Sequence, residues 1–468
     1  MRTNTILHLL STLLIGLLLY NCRPLTEIPF IPLQAGIETS ANLIFLGDTV
    51  RFRQAATEVA RSFSWDFGDQ TQSTEAEPRH VYTAIGNYTV RMVATKADGI
   101  TQDTATRVIR VLPALIDPAN QTVLPNLNGS QDVGYAAALL PGGGVVIAAK
   151  RNVNGLVLFR LNNNLEAVWT RNFTNIASGQ LFPQDIIATT DGGFVVVGYY
   201  FYDAVDTDAF ILKINANGQE VWRRTVATTT RREAFSRVKE LNNEYIVIGS
   251  VEDRGRSSVW FTVYEANGQL AESELEGNTW NATDAIFTSD GGIAIAANEG
   301  SNPMLIRYSS DGQLSWNRRL ELRGKALSIR ELGDFNFLLS GFVVPNEQDI
   351  SADSTNAFLS KISNGGSTEI WQEQLRLFRE AFYDAAQASG QRIITLGTHS
   401  NPLSGSDLLV GQYTAEGQLG KVRLLGSRRN EQAFRIYRNG VDQYLIIGSR
   451  QAANGSQVWL VRINAELE

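Results

Sequence analysis

The chain is poor in the residues that most catalytic and metal-binding chemistry needs. A single cysteine in 468 residues excludes an internal disulfide framework and a cysteine-built zinc site. Only three histidines are present, and one of them, His399, lies in the C-terminal two-thirds, so a histidine metal centre or a Ser-His-Asp triad has little material there. The longest apolar run, Ile6 to Leu19, falls short of the ~20 residues that cross a bilayer as a helix. Lys and Arg total 41 against 48 Asp and Glu, a net charge of -7 without a basic stripe, which argues against nucleic acid as a partner. No Gly-rich loop leads into a helix, because no helical periodicity is evident, so phosphate cradles are excluded too. What is there, 43% hydrophobic and 19% charged residues, is the composition of an ordinary globular chain long enough for two domains or a repeat array.

Met1-Arg2, the apolar run and then Cys22, the lone cysteine, follow the layout of a secretory signal ending in a lipidation site. The segment resembles a bacterial lipoprotein signal, with Leu19 in place, although Tyr20 and Asn21 stand where that signal has small residues. The resemblance implies a signal peptide over residues 1–21 and a lipid anchor on Cys22. Residues 22–35, with Pro24, Pro29 and Pro32, then read as a stiff tether. Arg23, rather than Asp, after the cysteine favours the outer membrane, and the occupied face stays open between cell surface and periplasm. The alternative is an ordinary cleaved signal that leaves a free thiol.

From about Ala41 short alternating strands appear at sandwich spacing. Among them stand Trp65-Asp66-Phe67-Gly68-Asp69, then Pro78, His80 and Tyr82, then Gly86, Tyr88 and Val90. This constellation resembles the PKD domain over residues 36–112, with Gln70 where that family has Gly. It implies an immunoglobulin-like β-sandwich used as a spacer or adhesion module, commonly in extracellular proteins. Trp65 and Phe67 alternate into one face, and Tyr82 and Tyr88 close the core from the other sheet. Asp66, Asp69 and His80 read either as a metal or acid-base group or, preferably, as acceptors of backbone N–H bonds at a Gly turn.

Beyond a linker at 113–119 the sequence repeats. An apolar strand ending in a small residue recurs at Ala149, Gly198, Gly249, Ala297, Gly341, Gly397 and Gly448, spaced 49, 51, 48, 44, 56 and 51 residues. Seven units of four strands point to an all-β chain in which a seven-bladed β-propeller, residues 120–468, follows the sandwich. Turns such as Thr190-Asp191-Gly192-Gly193 and Asn217-Gly218 supply positive φ. Trp169, Trp222, Trp316 and Trp371 recur on the fourth strands as packing between blades. The units resemble secreted bacterial propellers of the T-D-G-G-F type and lack the marks of WD and kelch blades. The seventh unit has three strands, and Thr122 to Asn128 is the expected donor of the fourth. Pro125 is tolerated at that edge.

Nine residues before each apolar strand lie Ala136, Asp185, Ser236, Asp284, Ser328, Asp384 and Arg435. Asp185, Asp284, Asp384 and Arg435 form a candidate axial ring. It serves either as a cation or acid-pair site or, preferably, as acceptors for amides of neighbouring blades. A candidate binding face gathers Arg231, Arg232, Arg379, Arg428 and Arg429 in the loops entering the inner strands with Tyr199, Tyr200, Phe201 and Tyr202 in a middle loop. Solvated loops are the plainer reading. Acidic loops at Asp203, Asp206 and Asp208, and at Asp349 and Asp353, would suit Ca²⁺ as the one candidate ion; no cofactor, catalytic residue or assigned metal ligand is expected. These features describe a cell-envelope binding or adhesion module for a glycan or a protein, not an enzyme. The alternatives are a subunit of an outer-membrane assembly and, third, a propeller hydrolase or lyase.

Overall fold

The computed structural model describes residues 32–468 apart from 58, 126–128, 174–178, 204–205, 228–230, 278, 345–354, 378, 404, 428 and 454. Cys22 and the expected signal lie outside the described residues. The chain divides between Val111 and Leu112 into two compact units, both built of strands.

The N-terminal unit is a two-sheet sandwich. Ile37–Thr39, Thr49–Gln54 and Arg79–Val81 make one sheet; Leu43–Phe45, Gln102–Leu112, Gly86–Lys96, Ala60–Asp66 and Gln72–Ser73 make the other. Alternation along Ala60–Asp66 sends Trp65 inward, where it is fully buried with Phe52, Phe67, Tyr82, Val90 and Met92. The indole N–H donates to the Glu75 carbonyl at 2.8 Å, so burying the ring strands no donor. Gln70 adopts a φ of +70°, keeping the left-handed turn without Gly.

The C-terminal unit contains seven four-stranded antiparallel blades. Their innermost strands are Asp132–Leu139, Gln180–Ala188, Arg232–Leu241, Trp280–Phe287, Gly324–Glu331, Glu380–Gln387 and Glu431–Arg438. Each packs against the next, and the seventh packs back against the first, which makes a ring. The second and third blades are also joined by a single parallel bridge, Thr207 to Arg232. The middle strands of the blades are largely apolar because both faces are covered; Thr207–Ile214 is buried at every position, whereas outer strands such as Leu270–Glu276 are exposed.

The seventh blade takes its outer strand from ahead of the first: Gln121–Val123 pairs antiparallel with Gly455–Asn464, Thr122 opposite Leu460. The observed donor is thus the start of the expected stretch, extended by the Leu124 amide bonding Val458 at 2.9 Å, while residues 126–128 lie outside the described residues. Within the stretch read as a linker, Leu115–Ile116 adds a short parallel strand to the outer edge of the sixth blade. That edge has free backbone groups to bond.

The recurring Trp and Gly belong to one device. Trp169, Trp222, Trp316 and Trp371 on outer strands each lie against the Gly turn of the following blade, at Gly218, Gly268, Gly366 and Gly417, where a Cβ would come within 3.1 Å or less of the indole. Trp222, Trp316 and Trp371 also donate to carbonyls of those turns, at Ala266, Asn364 and Ala415. The third blade's outer strand, Leu270–Glu276, carries no Trp, and Gly312 on the following blade has nothing within 4 Å.

Candidate binding site on the propeller axis

Every innermost strand is bulged at one height. Register breaks between Gly134 and Ala136, Pro183 and Asp185, Phe235 and Arg237, Ala282 and Asp284, Ala326 and Ser328, Phe382 and Asp384, and Ala433 and Arg435. A bulge sets two residues against one and re-aims a side chain. The extra residues and those that follow them form two tiers around the axis.

The tier of following residues, Ala136, Asp185, Arg237, Asp284, Ser328, Asp384 and Arg435, carries three acids and two arginines. Asp185 accepts the Val238 amide of the next blade at 3.1 Å, Asp284 the Ile329 amide at 3.1 Å, and Asp384 the Ile436 amide at 3.0 Å. At the joint between the seventh and first blades the Tyr437 hydroxyl does the same for the Ala137 amide at 2.8 Å. Arg237 and Arg330 both pair with Asp284, and Arg330 reaches Asp384 as well, whose carboxylate also receives the Ser328 hydroxyl at 3.2 Å. Burial would raise the Asp284 carboxyl, but Arg237, Arg435 and Arg330 outweigh it and hold it below its ordinary range. The structure therefore brings Asp185, Asp284, Asp384 and Arg435 to one height and spends the three carboxylates on joining blades. Arg237 occupies the place assigned to Ser236 by spacing. The Leu241–Glu244 hairpin there is one residue shorter than its counterparts, so counting back from Gly249 lands one residue early.

The tier of extra residues surrounds a cavity of about 600 Å³ whose lining includes all seven: Tyr135, Gln184, Ser236, Thr283, Leu327, Tyr383 and Phe434. Five aromatic rings run around one side. Tyr199 stacks on Phe182 at 5.1 Å, Phe182 meets the edge of Tyr135 at 5.9 Å, Tyr135 stacks on Phe434 at 4.7 Å, and Phe434 lies 6.1 Å from Tyr383. Burial pushes the Tyr135 hydroxyl up to about 12 and also raises Tyr199 and Tyr383, so all three are neutral donors at physiological pH. Gln184, Ser236, Ser250, Asn281 and Thr283 line the remainder, with Arg232 paired to Glu252 at 3.2 Å and Arg435 on the floor.

The candidate face divides along the strand alternation of Phe194–Phe201. Tyr199 and Phe201 line the cavity, but Tyr200 is 1% exposed and packs on Phe210 in the core, which removes it from the face. Tyr202 packs against the same core. Arg231 pairs with Asp253 at 3.3 Å, Arg379 lines a shallower second pocket beside Thr355 and Ser400, Arg429 is exposed, and Arg428 lies outside the described residues. Asp349 and Asp353 also lie outside them, and among the described residues no group of three His, Cys, Asp or Glu could hold a metal ion.

In the N-terminal sandwich, Asp66 accepts the Gly68 amide at 2.9 Å, and Asp69 accepts the Thr71 amide at 3.1 Å and faces His80 at 2.7 Å. His80 stacks on Phe67 at 4.3 Å. The three polar residues thus brace the turn that the W-D-F-G-D run makes. Residues 36–111 match the family model of the PKD domain. This segment is a PKD domain. It is similar to the PKD1 domain of Vibrio anguillarum Epp, at 28% identity over 18% of this chain and 98% of that one, with a TM-score of 0.16. PKD domains are typical of extracellular and surface proteins. The chain is also similar to streptogramin B lyase, at 11% identity over 74% of this chain and 98% of that one (TM-score 0.46), and to the Dos1 propeller, at 8% identity over 74% and 94% (TM-score 0.46). No curated protein matches it. Among the described residues no helix is long and apolar enough to cross a membrane. A PKD domain joined to a β-propeller is the architecture of a surface binding or interaction module.

Proposed function

We propose that this protein is a lipid-anchored envelope receptor that takes a saccharide into the axial cavity of its propeller. The observation that carries the reading is the aromatic arc of Tyr199, Phe182, Tyr135, Phe434 and Tyr383 facing amide and hydroxyl side chains across one concave mouth. Aromatic faces carry negative charge density and receive the weakly positive C–H face of a sugar ring, while Asn281, Gln184, Ser236 and Thr283 offer partners to its hydroxyls. Binding without turnover is supported by the placement of the acids. Glu252, the one carboxylate of the described lining, is paired to Arg232, and the three axial aspartates accept amides of the next blade, with guanidinium groups on Asp284 and Asp384 as well. The anchor on Cys22 and the outer-membrane location rest on the N-terminal sequence, with the PKD domain as a spacer.

The test is a glycan panel probed with the detergent-solubilised full chain and with Tyr135→Ala and Phe434→Ala. Losing a stacked ring removes ~0.5–1.5 kcal/mol beyond its buried area, so affinity should fall about tenfold or more in each. Binding that is indifferent to both changes overturns the reading. Cys22→Ala should move the protein from membranes to the soluble fraction.

A further inference from the structure

We infer that the axial cavity selects saccharides that carry a carboxylate, with Arg435 as the group that receives it. The inference rests on the saccharide reading above and adds the charge of the ligand. Arg435 lines the cavity and is half-buried on the seventh inner strand. Among the described residues its side chain makes no hydrogen bond and no ion pair, although Asp284, Asp384, Arg237 and Arg330 stand close enough to act on it through space.

Both carboxylates are engaged by other groups. A carboxylate offers about four lone-pair sites. Asp284 receives the amides of Ala285 and Ile329 and the guanidinium groups of Arg237 and Arg330. Asp384 receives the amides of Ala385 and Ile436, the Ser328 hydroxyl and Arg330. Neither pairs with Arg435, whose planar donors remain for whatever enters the cavity. A guanidinium fork matches a carboxylate in two parallel hydrogen bonds.

The charges nearest Arg435 are paired among themselves, Asp284 with Arg237 and Arg330 and Asp384 with Arg330. The cavity's other charged lining residues, Arg232 and Glu252, cancel. Behind the wall, Lys150 lies 4.0 Å over the Phe182 ring, bonds Gln180 at 3.0 Å and meets no carboxylate among the described residues. Arg435 is thus the one charged lining residue without a pair among the described residues, and in a chain of net charge -7 it acts at short range, since salt screens the rest of the surface beyond ~8 Å. Phe434 of the Tyr135 and Phe434 stack precedes Arg435 in sequence, and all three line the cavity, so a sugar ring on the arc and a carboxylate on Arg435 would share it.

The test uses oligosaccharides of galacturonate, glucuronate and mannuronate, each as the free acid and as its methyl ester, titrated calorimetrically into the full chain at physiological salt. At least one acid should bind about tenfold or more tightly than its own ester. Arg435→Gln should erase that preference and Arg435→Lys should keep part of it. Equal binding of acid and ester by the unaltered protein overturns the inference without needing any variant. If only uncharged glycans bind, and Tyr135→Ala weakens them, the inference fails and the saccharide reading stands; if no glycan binds at all, both fail.

Discussion

Gly268 and Gly312 close equivalent hairpins at the same φ of +82°, yet alanine should be far worse at the first. At Gly312 a Cβ meets nothing within 4 Å, so the substitution costs only the left-handed backbone, ~1–2 kcal/mol, less the ~0.5–1 kcal/mol recovered by restricting the unfolded chain. At Gly268 the same Cβ falls 2.6 Å from the Trp222 ring. That ring is 9% exposed and its N–H is held by the Ala266 carbonyl at 2.8 Å, so it cannot retreat cheaply. Overpacking of this kind adds ~1–3 kcal/mol. Gly312→Ala should therefore cost about 1 kcal/mol and Gly268→Ala about 2–4 kcal/mol. Urea midpoints followed by tryptophan fluorescence measure the difference at constant slope. A double-mutant cycle with Trp222→Leu should then show strong coupling, because the smaller side chain makes room for the methyl group. Equal losses at the two glycines, or additive effects in the cycle, would refute the idea that the tryptophan rather than the backbone dictates Gly at these turns.

Closure of the ring should hinge on Gln121, whose Oε1 receives the Trp459 indole N–H at 2.7 Å and Arg450 at 2.8 Å; Gln121→Ala leaves the buried indole N–H without its acceptor and takes one of several partners from Arg450, and should cost ~1–3 kcal/mol in chemical unfolding. Removing residues 112–129 altogether should cost more, and an unchanged melting temperature would disprove closure by this strand. Asp191 provides a pH probe: burial would raise its carboxyl, but hydrogen bonds from Lys213, Thr189 and the Gly193 amide outweigh that and bring it down to about 2. A depressed carboxyl stabilises above its unfolded pKa, ~3.9, and that contribution disappears as pH falls through the folded value. The gap in melting temperature between the unaltered protein and Asp191→Asn should thus be constant from pH 7 to about 5 and close between about 4 and 2, whereas a gap that persists at pH 2 would contradict the assignment.

How the site reads from sequence turns on particular residues. The height of Asp185, Asp284, Asp384 and Arg435 follows from counting back along each repeat, because strand spacing is regular and the turns are short. The count misplaces the third blade by one, since a single residue missing from a hairpin shifts everything before it and brings Arg237 rather than Ser236 to the ring. The aromatic arc escapes such counting altogether. Tyr135, Tyr383 and Phe434 immediately precede ring residues, so simple alternation would send them to the opposite face, and only the bulge turns them toward the cavity. Conversely, alternation does operate in Phe194–Phe201, and it is what withdraws Tyr200 from a face that its aromatic neighbours suggested.

The sequence by itself determined what local chemistry controls: apolar alternation made strands, Gly made left-handed turns, recurring spacing made blades, and the W-D-F-G-D run made the sandwich. Tertiary structure alone decided which strand closes the seventh blade, which arginine meets which aspartate, and which aromatic rings share a cavity. These depend on register and bulges between segments far apart in the chain. Neither composition nor periodicity encodes such pairings directly, because each is settled only when every blade has packed against its neighbour.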